Sequence, residues 1–178
     1  MIDIFKNILK DLKVDFTDKF DKNFPQGGFF GNRWKPKKDG SASHLIKSGA
    51  LRRSIKSRIE GNTIVFTSEK PYAAIHNEGG EITVTKKMKK FFLAKAYEAQ
   101  GKTFTKSGKR GTGKTAEKWN KQADFYKGLA LKKVGSKIVI PQRQFIGAYP
   151  GMEKTVERTA KKAIEKELKS ITQKINKQ

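Results

Sequence analysis

The stretch SRIEGNTIVFTSEKPYAAIHNEGGEITVT, residues 57–85, sets the reading of the whole chain. Two runs of strand-type residues flank Glu60-Gly61-Asn62, which is a hairpin signal. Pro71 closes the second run. YAAIHNEGG is compact enough for one helical turn with a glycine stop, and EITVT alternates as a third strand. His76 stands inside that turn beside Glu78, so the segment poses a chemical question as well as a topological one.

On the N-terminal side, residues 1–24 place Ile4, Ile8, Leu12, Phe16, Phe20 and Phe24 four apart, with Phe5 and Leu9 widening the stripe. That spacing predicts a helix with one buried face, ended by Pro25, Gly27 and Gly28. GGFFGNRWKPKKDGSASH has no period and reads as a loop tacked down by Phe29, Phe30 and Trp34. HLIKSGALRRSIKSRI predicts a short helix running into a strand. KIVIP, 137–141, is a fourth strand, and Phe145 or Ile146 just beyond it is expected to anchor the C-terminal helix on the sheet. That helix carries Met152, Val156, Ala160, Ala163, Ile164, Leu168, Ile171 and Ile175 at three- and four-residue steps. The expected fold class is α+β: a small antiparallel sheet packed with N- and C-terminal amphipathic helices. At 178 residues one domain, 1–178, is expected, with 86–137 a long, basic, partly helical insertion between two strands.

The chain contains no cysteine, which excludes disulfides, thiolate metal sites and a cysteine nucleophile. The N-terminus lacks an uninterrupted apolar core of the signal-peptide kind, and no run approaches a membrane span. A soluble protein made and kept in a cytoplasm is therefore expected. Net charge is +23, and residues 86–137 hold sixteen Lys and Arg against three acids, a net of +13. Such a density points to a polyanion or an acidic partner surface. The candidate phosphate contacts are Lys86, Lys87, Lys89, Lys90, Lys106, Lys109, Arg110 and Lys114. Phe91, Phe92, Phe104, Trp119, Phe125 and Tyr126 interleave with the lysines, where they serve either base stacking or a helix seam. No helix-turn-helix, zinc-finger or RNA-recognition aromatic motif supports sequence-specific readout.

Gly108, Gly113, Lys114 and Thr115 match the phosphate-loop pattern letter for letter. Such a loop needs a buried strand entering it, and the entering QGKTFTKS is polar and basic. The match reads as a flexible basic loop. His76 has only His44 as a fellow histidine, too few partners for a zinc site, and no serine stands in a nucleophile elbow. The residues favour a structural role for His76 in a tight turn. No catalytic, cofactor or metal site is expected, and the chain does not read as an enzyme.

Four segments, in order, resemble the phage virion morphogenesis family, the tail-completion proteins of Mu-like phages. They are Trp34-Lys35-Pro36; Ser48-Gly49-Ala50-Leu51-Arg52-Arg53-Ser54-Ile55; Tyr72-Ala73-Ala74-Ile75-His76-Asn77-Glu78-Gly79; and Ile140-Pro141-Gln142-Arg143-Gln144-Phe145-Ile146-Gly147. The chain departs from the family in its long basic insertion and in Asn77, where Gln is frequent. The resemblance implies a tail-terminator-like α+β fold, a homo-oligomeric ring (hexameric in related proteins) and a structural place at the head–tail junction of the virion, among neck and tail proteins. It implies no enzymatic activity, cofactor or membrane association. It marks Trp34, Gly49, Leu51, Arg52, Tyr72, His76, Gly79, Arg143 and Phe145 as structural or subunit-contact positions. A ring at the exit channel would hold a basic arm near genomic DNA. The alternative from another class is a nonspecific nucleic-acid-binding module; a phosphate-loop nucleotidase is a weaker third.

Overall fold

The computed structural model describes residues 4–36, 45–105 and 107–176. They form two compact units. The first takes residues 4–34, 45–77 and 143–176, and the second 35–36, 78–105 and 107–142.

The first unit is organised by helix α1 (Ile4–Gln26), whose buried residues Leu9, Leu12, Phe16, Phe20 and Phe24 follow the expected stripe. Pro25 lies within its last turn rather than beyond its end. Proline has no N–H to reach back to the carbonyl of Asp21, and the helix ends one residue later at Gln26. Strands β1 (Gly28–Phe29) and β2 (Asn32–Arg33) then pair antiparallel, in the stretch read from sequence as a loop. Strands of two residues carry too little alternation to be visible in a sequence. Their connection, Phe30-Gly31, has φ of 46° and 93°, positive at both positions as a primed hairpin turn requires. Phenylalanine is an unfavourable residue for such a φ. Its surroundings hold it there: the ring lies flat on Tyr149, with centroids 3.6 Å apart, and its N–H donates to Asn23 Oδ1 at 3.2 Å.

Helix α2 (Ala50–Arg53) runs into β3 (Ile55–Glu60), which pairs with β4 (Thr63–Ser68) across Gly61-Asn62, as expected. Helix α3 (Ala73–Glu78) is the short turn containing His76. The long C-terminal helix α6 (Met152–Ile175) is fixed by its N-terminal end. There Lys19 Nζ of α1 donates to Asp15 Oδ2 and Thr155 Oγ1, each at 2.9 Å, and to Tyr149 Oη at 3.3 Å. Burial works to lower the Lys19 pKa, but hydrogen bonds to Asp15 and Tyr149 outweigh it, and the net shift is upward.

In the second unit β5 (Gly80–Thr83) pairs antiparallel with β6 (Lys137–Ile140). Between them, α4 (Lys86–Gly101) and α5 (Lys114–Leu131) pack on each other with Ala96, Ala99, Ala116 and Ala123 buried. The fold is α+β, and among the described residues its antiparallel strand pairing is distributed over three two-stranded ladders, β1–β2, β3–β4 and β5–β6.

Phe145 is 1% exposed, in a cluster with Phe24 of α1, Trp34, Leu51 of α2 and Ala73 of α3. It therefore anchors the segment before α6 onto α1 and the short helices, with Ile55 of β3 alongside, while Ile146 packs against both this cluster and the one that Ile64 and Phe66 of β4 and Met152 of α6 share. Phe145→Ala should cost about 3–5 kcal/mol in chemical denaturation. A loss below about 0.5 kcal/mol would place the ring outside the core.

Candidate functional site

The chain leaves the first unit after Trp34 and again after Asn77, and returns to it at Arg143. Residues 143–147 belong to no helix or strand, so their backbone polar groups need partners from elsewhere. Those partners are motif residues and their neighbours. Arg143 N–H donates to His76 O at 2.8 Å. Trp34 Nε1 donates to Gln144 O at 2.8 Å. Asn77 Oδ1 accepts from both Phe145 N (2.9 Å) and Ile146 N (3.1 Å). Asn23, 1% exposed on α1, donates through Nδ2 to Phe145 O at 3.2 Å while its Oδ1 holds the Phe30 turn. Asn23 is a site residue that the sequence reading missed. Its signal was a polar residue standing beside Phe24 on the apolar face of α1.

Of the nine motif positions, Trp34, Leu51, His76, Arg143 and Phe145 converge on this junction. Leu51 and Phe145 fill the cluster beneath it, and Arg143 is buried. Tyr72 is 41% exposed and meets the His76 ring edge-on at 6.0 Å. Gly49, in left-handed conformation, leads into α2. Arg52 reaches back to α1 through a two-pronged ion pair with Asp21, Nε to Oδ1 at 2.6 Å and Nη2 to Oδ2. It edges an open groove of about 550 Å³ that Lys47, Ser48, Gly49 and Arg53 also line. Gly79 lies in the second unit with φ 76°, and a Cβ there would stand 2.9 Å from Gln142 N. Only glycine satisfies both the conformation and the space.

His76 thus contributes a backbone carbonyl to the junction. Among the described residues no group of three or more His, Asp or Glu could hold a metal ion. The phosphate-loop match is a connector between helices. The chain enters it from α4 and leaves into α5, with Phe104 bridging Arg110 and Gly111 N donating to Thr103 O at 2.7 Å. The strand-to-helix entry that cradles phosphates is replaced by a helix-to-helix turn.

The basic candidates divide into two groups. Lys86, Lys87, Lys89 and Lys90 crowd the start of α4, where Thr85 caps Met88 N at 3.2 Å and no acid stands in the first turn. Lys109, Arg110 and Lys114 lie at the opposite end of the helical pair, roughly 24 Å away along the sixteen residues of α4. Lys106 lies outside the described residues. Positive charge at a helix N-terminus opposes the helix dipole, so the first group sits where it costs local stability. Glu98, one of the three acids in this stretch, is held down to about 2 by hydrogen bonds from Lys102 (2.8 Å) and Lys95 (2.5 Å). The six interleaved aromatics divide as well. Phe91 and Phe104 are about half exposed. Trp119 is partly covered and carries Lys102 over its face at 4.7 Å.

Two outcomes follow for the junction. Asn77→Ala strips the acceptor from two backbone N–H groups and should cost roughly 1–3 kcal/mol, while Asn77→Asp, which keeps the acceptor, should lose less. Equal losses in urea denaturation would show that Asn77 acts through packing. For the Asp21–Arg52 pair, the hydrogen bond from Arg52 lowers the Asp21 pKa below its ordinary 3.8. Its stabilisation is therefore complete above that value and fades as pH falls through the lowered one. Asp21→Asn should be less stable than the parent at pH 5–7, and the gap should narrow as pH falls below 3.8 and through the lowered pKa. A gap independent of pH would assign the effect to something other than this charge.

The profile of the phage virion morphogenesis family matches residues 5–169, a span holding all four motif segments, the second unit and most of the first. No curated protein and no solved structure matches the chain significantly. The segments that carry the resemblance are those that close the junction at residues 143–147, and the chain belongs to the phage virion morphogenesis family.

Proposed function

We propose that this chain is a structural subunit that completes or terminates the phage tail and joins it to the head, assembled as a ring, hexameric as in related proteins, around the DNA exit channel. Family membership itself gives the chain a role in building the phage particle. The observation that carries the finer reading is the use made of the motif residues. They hold backbone to backbone at a buried junction, as a scaffold requires, and His76 takes part in it through its main-chain carbonyl. A non-enzymatic subunit without cofactors follows from this reading, as does a place in the virion at the head–tail junction.

The strongly basic second unit suits a lumenal arm facing packaged DNA. Its two lysine groups would both reach phosphates if the duplex lay along the helical pair, since phosphates recur along the whole duplex. The lysines at the start of α4 oppose the local dipole, which supports a role for them other than stability. The nonspecific nucleic-acid-binding module remains the second reading, favoured by the same feature.

Disruption of the gene in its phage should leave DNA-filled heads and tails that fail to join or end at irregular lengths, restored by the gene in trans. Normal particles in electron micrographs would refute the proposal. In native mass spectrometry a closed ring separates it from the binding-module reading. For the arm, replacing Lys86, Lys87, Lys89 and Lys90 by Gln should reduce the slope of log K against log salt by about 0.9 for each phosphate no longer neutralised. The same variant should be as stable as the parent or more so, because the charge opposing the dipole has gone. An unchanged slope would remove these lysines from the DNA interface.

A further inference from the structure

Ile164, Leu168, Ile171 and Ile175 of α6 are 46–65% exposed although all are large aliphatics. Single exposed aliphatics are ordinary, but these recur at steps of four, three and four, the a/d spacing of a helix–helix seam. At 100° per residue they occupy a stripe about 60° wide. Thr155 is the one buried residue of α6, so its first turns hold the helix to α1 while its C-terminal half turns the stripe outward.

The charges beside the stripe select what covers it. With Leu168 and Ile175 as a and Ile164 and Ile171 as d, the two g positions are Glu167 and Lys174. An antiparallel pair of identical helices sets g against g. With Leu168 opposite Ile171 of the second copy, Glu167 falls beside the second copy's Lys174, and the two-fold axis repeats the contact. A parallel pair would instead set Glu167 against Thr172 and forgo that pairing. Overall charge disfavours residues 86–137 as the contact and leaves α6 open to it. Copies of a chain carrying +23 repel each other, so contact is least opposed where the signs mix. Helix α6 carries Glu153, Glu157, Glu165 and Glu167 among seven basic residues, whereas residues 86–137 carry three acids among sixteen.

We infer that α6 is a self-association face, on which two copies pair antiparallel through Ile164, Leu168, Ile171 and Ile175 with two symmetry-related Glu167–Lys174 contacts along one edge. The contact is isologous, whereas ring contacts are heterologous, so the pairing stands apart from the ring proposal. It doubles whatever assembly the chain otherwise forms.

Sedimentation velocity of the full chain, over a range of concentrations at about 0.15 M and about 0.5 M salt, tests this. The expected result is a doubling equilibrium that tightens with salt, because screening weakens the general repulsion and leaves the apolar seam intact. Leu168→Glu, at an exposed position, should keep the helical circular dichroism and raise the doubling Kd at least tenfold. Glu167→Lys and Lys174→Glu should each raise it severalfold, and the double variant should return it to within about twofold of the parent. Rescue by the double swap is specific to the antiparallel register. Absence of doubling, indifference to Leu168→Glu, or a double variant weaker than both single ones would each overturn the proposal. So would a stripe that binds anionic vesicles in a Leu168-dependent way while the protein shows no doubling.

Discussion

Everything in the first unit depends on satisfying the backbone of residues 143–147. This segment crosses a buried region without belonging to any helix or strand, so each of its N–H and C=O groups lacks the partner that regular structure would provide. Asn23, Trp34, His76 and Asn77 supply those partners from α1, the loop after β2, and α3. Beneath them, Phe24, Leu51, Ala73 and Phe145 fill the space that would otherwise admit water. Polar satisfaction and packing reinforce each other here, because hydrogen bonds in a dry surround lose little to competing solvent. That explains why residues far apart in the chain read as one motif set. Each segment gives either a hydrogen bond or a buried side chain to the same crossing.

The charge of the chain obeys a different logic. In the first unit lysines and arginines meet acids, as in Lys19–Asp15 and Arg52–Asp21. In the second, acids are few, and Glu98 and Glu117 are each engaged by lysines of their own helix. The surplus there balances nothing within the unit. Together with the lysines against the α4 dipole, this sets the charge pattern of the second unit apart from that of the first.

The helices, the β3–β4 hairpin, the α3 turn and the β5 and β6 strands were legible in the sequence, because each has a period or a punctuation of its own. The α+β class followed from them. The β1–β2 turn was hidden because it rests on Phe30 at positive φ, a conformation that local sequence disfavours and that Asn23 and Tyr149, the latter more than a hundred residues later, stabilise. The role of Asn23 was hidden for a similar reason: nothing within α1 says that a carbonyl and an amide will arrive on either side of it. Phe145 was legible as a core residue, but its neighbours were not, because what it packs against is fixed by the crossing chain rather than by the strand before it. His76 invited a chemical reading, and the structure uses its main chain.

The interrupted course of the first unit bears on how the chain folds. Helix α4, its connector and α5 are neighbours in sequence, and such local contacts form quickly. The aromatic face of α1, made before the rest of this unit, finds Phe145 and Tyr149 only after the whole intervening excursion has emerged. Until then Phe16, Phe20 and Phe24 lack their final cover, and loop closure over that length must precede the contacts that reward it. Slow, non-local closure of the first unit, later than the helical hairpin, is the kinetic cost of placing a long basic stretch in the middle of the chain.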